Sequence, residues 1–295
     1  MLLHMAVPRV SFEFFPPSDP ENEARLRATV ERLAPLRPHF VSVTYGADGS
    51  TRDRTHRIVS ELHGRGQLRV APHLTCVDAS REEVLTVARS YWEMGIRHIV
   101  ALRGDPPVGT DPYVPRSDGF GYAVELVRAL KQVADFQLTV AAYPEVHPQA
   151  PSAQFDLVNL KRKVEAGASR AVTQFFFDTG VYLKFRDRCA AAGIDVPIVP
   201  GILPITRFPQ ILKFAARCGA DVPAWLVRRF EGLEQDAETR RLISASVAIE
   251  QVHQLQREGV DEFHFYTLNR AELSYAICHA LGLRPIAVPA ASCAA

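Results

Sequence analysis

The stretch VSFEFFPP, residues 10–17, places a glutamate inside a short aromatic run that two prolines end. Strand alternation puts Ser11 and Glu13 on one face and Phe12 and Phe14 on the other. An ionised carboxylate in apolar surroundings costs several kcal/mol unless it is paired or protonated. The stretch therefore predicts a buried strand with Glu13 pointing to the interior, where its charge needs an explanation.

The same unit recurs along the chain: a β-branched or aromatic run, a turn, then an amphipathic helix. This alternation is typical of a parallel sheet, and about eight strands close a (β/α)8 barrel. The predicted strands cover residues 10–15, 40–45, 70–75, 98–102, 137–142, 171–176, 198–202 and 263–267. We therefore predict an α/β protein with a TIM barrel fold.

Helices are predicted between the strands, for example over residues 21–33, 82–94, 154–166 and 238–258. Ser80 with Glu83 forms a capping-box pattern, and Asp178 is a second candidate N-cap. Gly95 and Gly167 are expected to end helices.

A long insert, residues 206–259, separates predicted strands seven and eight and should carry two or three helices at the barrel mouth. No linker divides the chain. We expect a single domain over residues 1–295, with a flexible tail over 284–295.

Composition indicates an ordinary globular protein, with 47% apolar and 23% charged residues among 295 and a net charge of +1. This charge favours neither nucleic acid nor an anionic membrane as a partner, so a small molecule is expected. The five cysteines show no metal-ligand spacing and indicate a reducing compartment. Without a signal-peptide pattern or a membrane-length apolar run, we expect a cytoplasmic protein.

Catalytic groups of such barrels lie at the carboxyl ends of the strands. Glu13 is predicted to be a general acid whose pKa is raised by desolvation, or a structural glutamate paired with an arginine or lysine. Asp105 is a second carboxylate, next to Arg103 and Gly104, but its position alone favours a residue that begins a turn before proline.

Polar residues also follow predicted strand five, in the segment YPEVHP and on the helix after it. Asp156, Asn159 and Lys163 share one face of that helix. Such a face suits a ribityl phosphate or a pyrophosphate, although a solvated charged face is the commoner explanation.

The sequence lacks the motifs that indicate a metal site, a dinucleotide or phosphate loop, or a catalytic nucleophile. His73, His147 and His264 are isolated along the chain, so no metal site is expected. The sequence has no GxGxxG after a strand, no GxxxxGK[ST] loop and no nucleophile elbow.

The motifs SFEFFPP, VTYGADGSTRDRT, PHLTC, LRGDPP, AAYPEVHP, DLVNLKRK, TQFFFD, PGILPI, PAW and EFHFYTLNRAELSYAICHALGL occur in this order along the chain. Together they resemble the methylenetetrahydrofolate reductase family over residues 9–283. The resemblance implies an FAD-bearing barrel that reduces 5,10-methylenetetrahydrofolate to 5-methyltetrahydrofolate with electrons from NADH or NADPH.

The resemblance also implies roles for individual residues. Glu13 matches the family's acid, and Asp105 matches the aspartate that contacts the pterin and tunes the flavin. The residues that match FAD contacts are Thr44, His73, Arg103, Gly104, Tyr122, Ala123, Tyr143, His147, Ala150, Asp156, Asn159, Arg162 and Lys163. Those that match substrate contacts are Asp105, Gln174, Gln210, Phe214 and Arg270.

Phe214 would stack on either folate or nicotinamide, which implies a ping-pong cycle, and Arg270 would pair with the glutamyl carboxylate of the folate. The loop 106–121 departs from the family pattern, because Pro106 and Pro107 directly follow Asp105. Short bacterial members are often oligomeric, so a homo-oligomer is expected, without a regulatory domain after residue 283.

Two alternatives remain open from the sequence. The same site could oxidise methyltetrahydrofolate in one-carbon catabolism, or could receive electrons from a partner protein in place of NAD(P)H. A flavin- or folate-binding barrel without catalytic activity, serving another reductase subunit, is disfavoured by the presence of both Glu13 and Asp105.

Overall fold

The computed structural model describes residues 6–45, 52–105 and 114–286. Parallel strands form a ring, and helices cover its outside. The first part of the predicted loop 106–121 and the predicted tail from residue 287 onward lie outside the described residues.

Nine parallel strands form one sheet within the described residues, in the order β7-β6-β5-β4-β3-β2-β1-β9-β8. The strands are β1 (Arg9–Phe14), β2 (Val41–Val43), β3 (Val70–Thr75), β4 (His98–Leu102), β5 (Gln137–Ala142), β6 (Arg170–Thr173), β7 (Ile198–Val199), β8 (Gly201–Ile202) and β9 (Glu262–Tyr266).

The described helices follow the strands as predicted. They are α1 (Pro20–Leu33), α2 (Arg52–Gly64), α3 (Arg81–Glu93), α4 (Ala123–Val133), α5 (Ala153–Glu165), α6 (Thr179–Ala191), α7 (Phe208–Cys218), α8 (Ala224–Phe230), α9 (Ala237–Arg257) and α10 (Ala271–Ala280). The predicted insert contains three of them, α7 to α9. In the described parts of the chain, no helix combines the length and the apolar character needed to span a bilayer.

The barrel closes at Pro200, where the sequence predicted one continuous strand over residues 198–202. Proline has no N–H to donate, and the chain changes partner there. β7 pairs with β6, β8 pairs with β9, and the Pro200 carbonyl accepts from the His264 N–H at 3.0 Å. β7 and β8, at the two ends of the sheet order, are thus consecutive in the chain, and together they take the place of one strand of the barrel.

The sixth strand is shorter than predicted, ending at Thr173 instead of residue 176. The reason is local: the side-chain Oε1 of Gln174 accepts the Phe175 N–H at 3.0 Å, so that donor is lost to the sheet. The predicted helix signals are confirmed. Ser80 and Glu83 form a capping box, and Asp178 accepts from the Gly180 N–H.

The strand faces separate two kinds of environment. Phe12 and Phe14 are fully buried between the barrel and its helices, in a cluster that includes Leu26 and Val30 of α1. Ser11 and Glu13 face the interior of the barrel, as the alternation predicted. Hydrophobic burial outside therefore fixes which side chains of β1 reach the interior.

A charged cluster fills the amino-terminal end of the barrel. Glu262, which exposes only 3% of its surface, accepts from Arg170 and lies 3.3 Å from both Arg9 Nη2 and His39 Nδ1. Burial raises the pKa of Glu262, but Arg170 and the other cations outweigh burial and lower it. The Phe40 ring lies deeper in the barrel, stacked 5.7 Å from the His264 ring.

We predict that Glu262→Gln lowers the free energy of unfolding by about 3 kcal/mol, because it leaves the largely buried Arg170 without its counter-charge. The control Glu82→Gln removes an exposed carboxylate paired with Arg89 and should cost less than about 1 kcal/mol. Urea denaturation followed by circular dichroism measures both. Equal losses in the two variants would contradict a structural role for the buried cluster.

Candidate active site

The carboxylate of Glu13 lies at the carboxyl end of β1, and two imidazoles face it. Its Oε2 is 3.3 Å from Nε2 of His73 on β3 and 3.6 Å from Nε2 of His264 on β9. The Glu13 side chain exposes 20% of its surface, against 10% for His73 and 2% for His264. The two imidazoles therefore hold the carboxylate of Glu13, and part of that carboxylate stays exposed at the barrel mouth.

Further contacts fix both members of the Glu13–His264 pair. Ser11 Oγ lies 2.8 Å from Nδ1 of His264, which orients the ring so that Nε2 faces Glu13. Thr267 donates through its hydroxyl to the Glu13 carbonyl at 2.6 Å, and its N–H points to the same oxygen at 3.4 Å. The backbone and the side chain of Glu13 are thus positioned by separate groups.

The charge state of Glu13 differs from the sequence-based expectation. Burial raises the pKa of Glu13, but the neighbouring imidazoles of His264 and His73 outweigh burial and lower it to about 2. The prediction of a raised pKa is therefore wrong, and so is the alternative of an arginine or lysine partner. The phenylalanines that prompted it lie on the outer face of β1, whereas the inner face meets histidines from other strands.

The sequence analysis placed Ser11 on the same face as Glu13 but gave it no role, did not select Tyr266 or Thr267, and treated His264 as isolated. β9 points Glu262, His264 and Tyr266 inward, and the phenylalanines between them face the helices. The alternation in EFHFY matches that in SFEF, so this pattern could have assigned them. Spacing along the chain could not, because β1 and β9 are neighbours in the sheet although some 250 residues separate Ser11 from His264.

Tyr266 depends on a glycine on the neighbouring strand. Its hydroxyl donates to the Thr173 carbonyl at 2.7 Å, and a Cβ at Gly201 would lie 2.6 Å from the ring. Burial raises the pKa of Tyr266, and the Glu13 carboxylate raises it further. The phenol therefore remains protonated beside the charged carboxylate.

Asp105 stands at the mouth just after β4. Gly104 has φ +89°, and a Cβ there would lie 3.0 Å from Thr75, so the chain can pass so close to β3 only as glycine. Burial raises the pKa of the Tyr143 phenol, and the nearby carboxylate of Asp105, which is itself exposed, raises that pKa further. The alternative role in a turn involves Pro106, which lies outside the described residues.

The face of α5 predicted to bind phosphates turns toward the barrel. Lys163 Nζ donates to the Ala141 carbonyl at 2.6 Å, and the Asp156 carboxylate accepts the His147 N–H at 3.0 Å. Burial lowers the pKa of Lys163 to about 8, with Asp156 opposing the shift. For these two charged residues the alternative of a solvated face is wrong; Arg162, on the same helix, is exposed.

The predicted cofactor residues occupy one arc of the barrel mouth. They lie on β3, in the segments that follow β2, β4 and β5, at the start of α4, and on α5. In chain order the set is Thr44, His73, Arg103, Gly104, Tyr122, Ala123, Tyr143, His147, Ala150, Asp156, Asn159, Arg162 and Lys163. The Tyr143 and His147 rings meet edge to face at 4.6 Å. The structure thus brings these residues to one side, and their role in binding FAD stays a prediction.

Apart from Asp105, which follows β4, the predicted substrate residues belong to the other arc, from β6 to α10. Gln174 directly follows β6, Gln210 is exposed on the first turn of α7, and Arg270 is exposed just before α10. Phe214, one turn after Gln210, is partly buried against a cluster that includes Phe177 and Leu203. Their role toward a substrate also stays a prediction.

Within the described residues, no group of three or more His, Cys, Asp and Glu side chains is arranged to hold a metal ion. The polar atoms of Glu13, His73 and His264 instead face one another at hydrogen-bond or ion-pair distances.

Comparison with solved structures bears on the fold. A protein from Clostridium thermocellum, described as binding two copies of 5-methyl-5,6,7,8-tetrahydrofolic acid, matches with a TM-score of 0.61. The match covers 94% of each chain at 16% sequence identity. This likeness supports the barrel fold alone.

Sequence comparison is more specific. Residues 2–282 match the family model described as methylenetetrahydrofolate reductase. The 5,10-methylenetetrahydrofolate reductases of Escherichia coli and Salmonella typhimurium are both 59% identical over 276 residues, which cover 94% of this chain and 91% of each relative. Methylenetetrahydrofolate reductase (NADH) 1 of Arabidopsis thaliana is 37% identical, and the match covers 92% of this chain and 48% of that protein. The chain belongs to the methylenetetrahydrofolate reductase family.

Proposed function

We propose that this protein reduces 5,10-methylenetetrahydrofolate to 5-methyltetrahydrofolate. The names of its bacterial relatives support the reaction. The single structural observation that carries the proposal is the Glu13 carboxylate placed beside His73 and His264 at the mouth of the barrel. A carboxylate with two imidazoles can hold and deliver a proton, which is what opening the methylene bridge of the substrate requires.

We propose FAD as the cofactor, because the first arc of the mouth has the donors that such a group needs. Lys163 is a partly buried cation whose nearest hydrogen-bond partner is a backbone carbonyl, and Arg103 and Arg162 add positive charge near the same arc. Gly104 lets the backbone approach a flat ring closely. When bound, FAD would supply hydride transfer from NADH or NADPH to the folate.

The chain's own residues would orient the folate and manage its proton. Asp105 follows β4 and Glu13 lies on β1, so a pterin between them could be held by one and protonated through the other. Gln174, Gln210 and Arg270 would contact the folate, and Phe214 would stack on its aromatic ring. Since Phe214 can cover one planar ligand at a time, we propose a ping-pong order for nicotinamide and folate.

The charge state of Glu13 refines the proton's location. With its pKa lowered to about 2, Glu13 carries no proton at neutral pH before substrate binds. We propose that the proton is held on an imidazole of the cluster and reaches the substrate through Glu13. Tyr266, whose hydroxyl donates to the Thr173 carbonyl, would pack its ring edge-on against His264 and help to hold that imidazole in place.

The remaining expectations are part of the same proposal. The electron donor is NADH or NADPH, the active protein is a homo-oligomer, and its compartment is the cytoplasm. Nucleic acid and membranes are not expected partners, in keeping with a net charge of +1.

The reaction is tested by Glu13→Gln. The variant should keep reduction of its bound flavin by NADH within about twofold of wild type, whereas reoxidation by methylenetetrahydrofolate should slow by at least about a hundredfold, because the proton path is broken. Stopped-flow absorbance measures each half-reaction separately. The control Glu93→Gln changes an exposed carboxylate of α3 and should alter neither. Normal folate reoxidation in Glu13→Gln would refute the role of Glu13.

Acid stability tests the charge state of Glu13. Its pKa is lowered from 4.5 to about 2, so the ionised form stabilises the fold above about pH 4.5 and this contribution is lost as pH falls toward 2. Between about pH 5 and pH 3, the thermal midpoint of wild type should therefore fall more steeply with decreasing pH than the thermal midpoint of Glu13→Gln. Differential scanning calorimetry measures both slopes. Parallel curves of thermal midpoint against pH would mean that the histidine partners do not lower the pKa of Glu13.

The cofactor assignment is tested by Lys163→Met. Loss of a charge-assisted hydrogen bond to a phosphate should weaken FAD binding about tenfold or more. Fluorescence titration of the flavin-free protein measures the dissociation constant. The matched control is Lys161→Met, two residues earlier on the same helix, which should bind FAD as wild type does. Equal affinities of the two variants for FAD would mean that Lys163 does not bind the phosphates of FAD.

A further inference from the structure

Two consecutive residues just after β9, Leu268 and Asn269, have left-handed backbone conformations. Their φ angles are +50° and +53°, and among the described residues only two other non-glycine positions, Arg37 and Asp78, have positive φ. A bulky side chain such as leucine rarely adopts this conformation, and left-handed residues normally occur singly. Such strain persists only where the surroundings hold it, and it is concentrated at functional sites.

The side chain of Asn269 holds this turn against the end of β1. Its Oδ1 accepts from the Phe15 N–H at 3.1 Å, and its Nδ2 donates to the Phe15 carbonyl at 2.9 Å. A peptide group of a neighbouring strand would make the same two kinds of bond. The last paired residues of β1 and β9 are Glu13 and Tyr266, so the Asn269 amide continues the pairing beyond the point where the backbone after β9 turns away.

The backbone of Asn269 is held as firmly as its side chain. Its N–H donates to Thr267 Oγ1 at 3.1 Å, and its carbonyl accepts from the hydroxyl of Thr29, on α1, at 2.9 Å. Asn269 exposes only 2% of its surface, and Thr29 and Thr267 expose 3% each. All four polar atoms of Asn269 therefore have a partner. We refer to Asn269 with Phe15, Thr29 and Thr267 as the Asn269 clamp.

The Asn269 clamp joins two parts of the candidate site. Thr267 bonds to the carbonyl of Glu13, and Asn269 bonds to Phe15, so the turn is attached to β1 on both sides of the strand end. Arg270 directly follows Asn269, and its N–H donates to the Thr267 carbonyl at 2.9 Å. The strand that carries Glu13 and the turn that carries Arg270 are thus fixed to each other.

The strained conformation also decides where the side chains of the turn lie. Leu268 is partly buried against the same apolar cluster as Phe214, whereas Arg270 is exposed at the mouth. An ordinary negative φ at Leu268 or Asn269 would redirect both side chains. The left-handed pair therefore serves the placement of Arg270.

We propose that Asn269 is a positioning residue for the folate, an inference that rests on the proposed function. It acts through Arg270: the clamp fixes the spacing between Glu13, which manages the proton at the pterin, and Arg270, which pairs with the glutamyl carboxylate. The pterin and the glutamate are the two ends of the folate, so a fixed spacing between their contacts aligns the substrate without an added cost of ordering the protein. The candidate cofactor arc has no residue in the clamp, so the flavin and its reduction are independent of Asn269.

The test compares Asn269→Gly with the control Arg37→Gly. Glycine accepts the left-handed backbone at both positions, but only Asn269→Gly removes the bonds to Phe15. Arg37 is exposed and lies between α1 and β2, at the amino-terminal end of the barrel.

Asn269→Gly should raise the dissociation constant of 5-methyltetrahydrofolate and the KM of methylenetetrahydrofolate about tenfold, the loss expected for one hydrogen bond to a charged group. Reduction of the flavin by NADH should stay within about twofold of wild type, and Arg37→Gly should change none of these quantities. Unchanged folate affinity in Asn269→Gly would overturn the proposal. So would equal losses in both half-reactions, because general loosening of the barrel would affect them alike.

A double-mutant cycle with Arg270→Gln tests whether Asn269 acts through Arg270. Each single variant should raise the KM of methylenetetrahydrofolate about tenfold, and the double variant should also raise it about tenfold, because both changes remove the same contact. A rise of about a hundredfold in the double variant would mean that the two residues act independently, and this would overturn the role given to Asn269.

Hydrogen exchange at the Phe15 amide, followed by NMR, tests the clamp without any ligand. The amide should be protected in wild type and in Arg37→Gly and should exchange freely in Asn269→Gly. Free exchange in wild type would overturn the clamp, even if Asn269→Gly failed to fold. Wild type that binds 5-methyltetrahydrofolate but does not reduce methylenetetrahydrofolate would overturn the proposed function alone, whereas wild type that binds neither folate would overturn both proposals.

Discussion

A single carboxylate inside the barrel constrains much of this structure. Glu13 lies on a strand whose outer face is packed with phenylalanines, so its charge must be compensated from the inner face. Two imidazoles from β3 and β9 supply that compensation, and Ser11 and Thr267 hold the arrangement in place. Because β1 pairs with β2 and β9 in fixed register, a shift of one residue in β1 would turn Glu13 into the apolar outer layer.

Closure of the barrel brings the two arcs of the mouth together. Pro200 ends the pairing with β6 and lets the chain pair with β9, while Gly201 leaves space for the Tyr266 ring. The candidate cofactor arc, from β2 to α5, then faces the candidate substrate arc, from β6 to α10. This division explains how one barrel could hold a flavin on one side and exchange two substrates on the other.

The sequence was sufficient to predict the elements of the fold and to select Glu13 and Asp105 as candidate carboxylates. Apolar periodicity, capping residues and glycines are local signals, and they gave the barrel, the three-helix insert and the inward direction of Glu13. The pairing of Glu13 with His73 and His264 could not be predicted in this way, because it depends on which distant strands become neighbours. The direction of the Glu13 pKa shift was mistaken for the same reason.

The second strand, predicted over residues 40–45, spans only Val41–Val43. At two other strands the prediction failed because a side chain or a proline replaced a backbone donor. Gln174 bonds its own chain and ends β6 early, and Pro200 divides the closing strand. Both exceptions lie at the carboxyl end of the barrel, beside the candidate site. The family resemblance supplied residue roles that no local pattern contained, and for Lys163 and Asp156 the structure adds contacts that turn their helix face toward the barrel.

The most direct measurement is the visible absorption spectrum of the purified protein, recorded anaerobically before and after NADH and again after methylenetetrahydrofolate. The account predicts flavin bands that bleach with the nicotinamide and return with the folate. A colourless protein that FAD cannot reconstitute would contradict it. Bands that ignore both nicotinamides but bleach with methyltetrahydrofolate would contradict the proposed direction and electron donor.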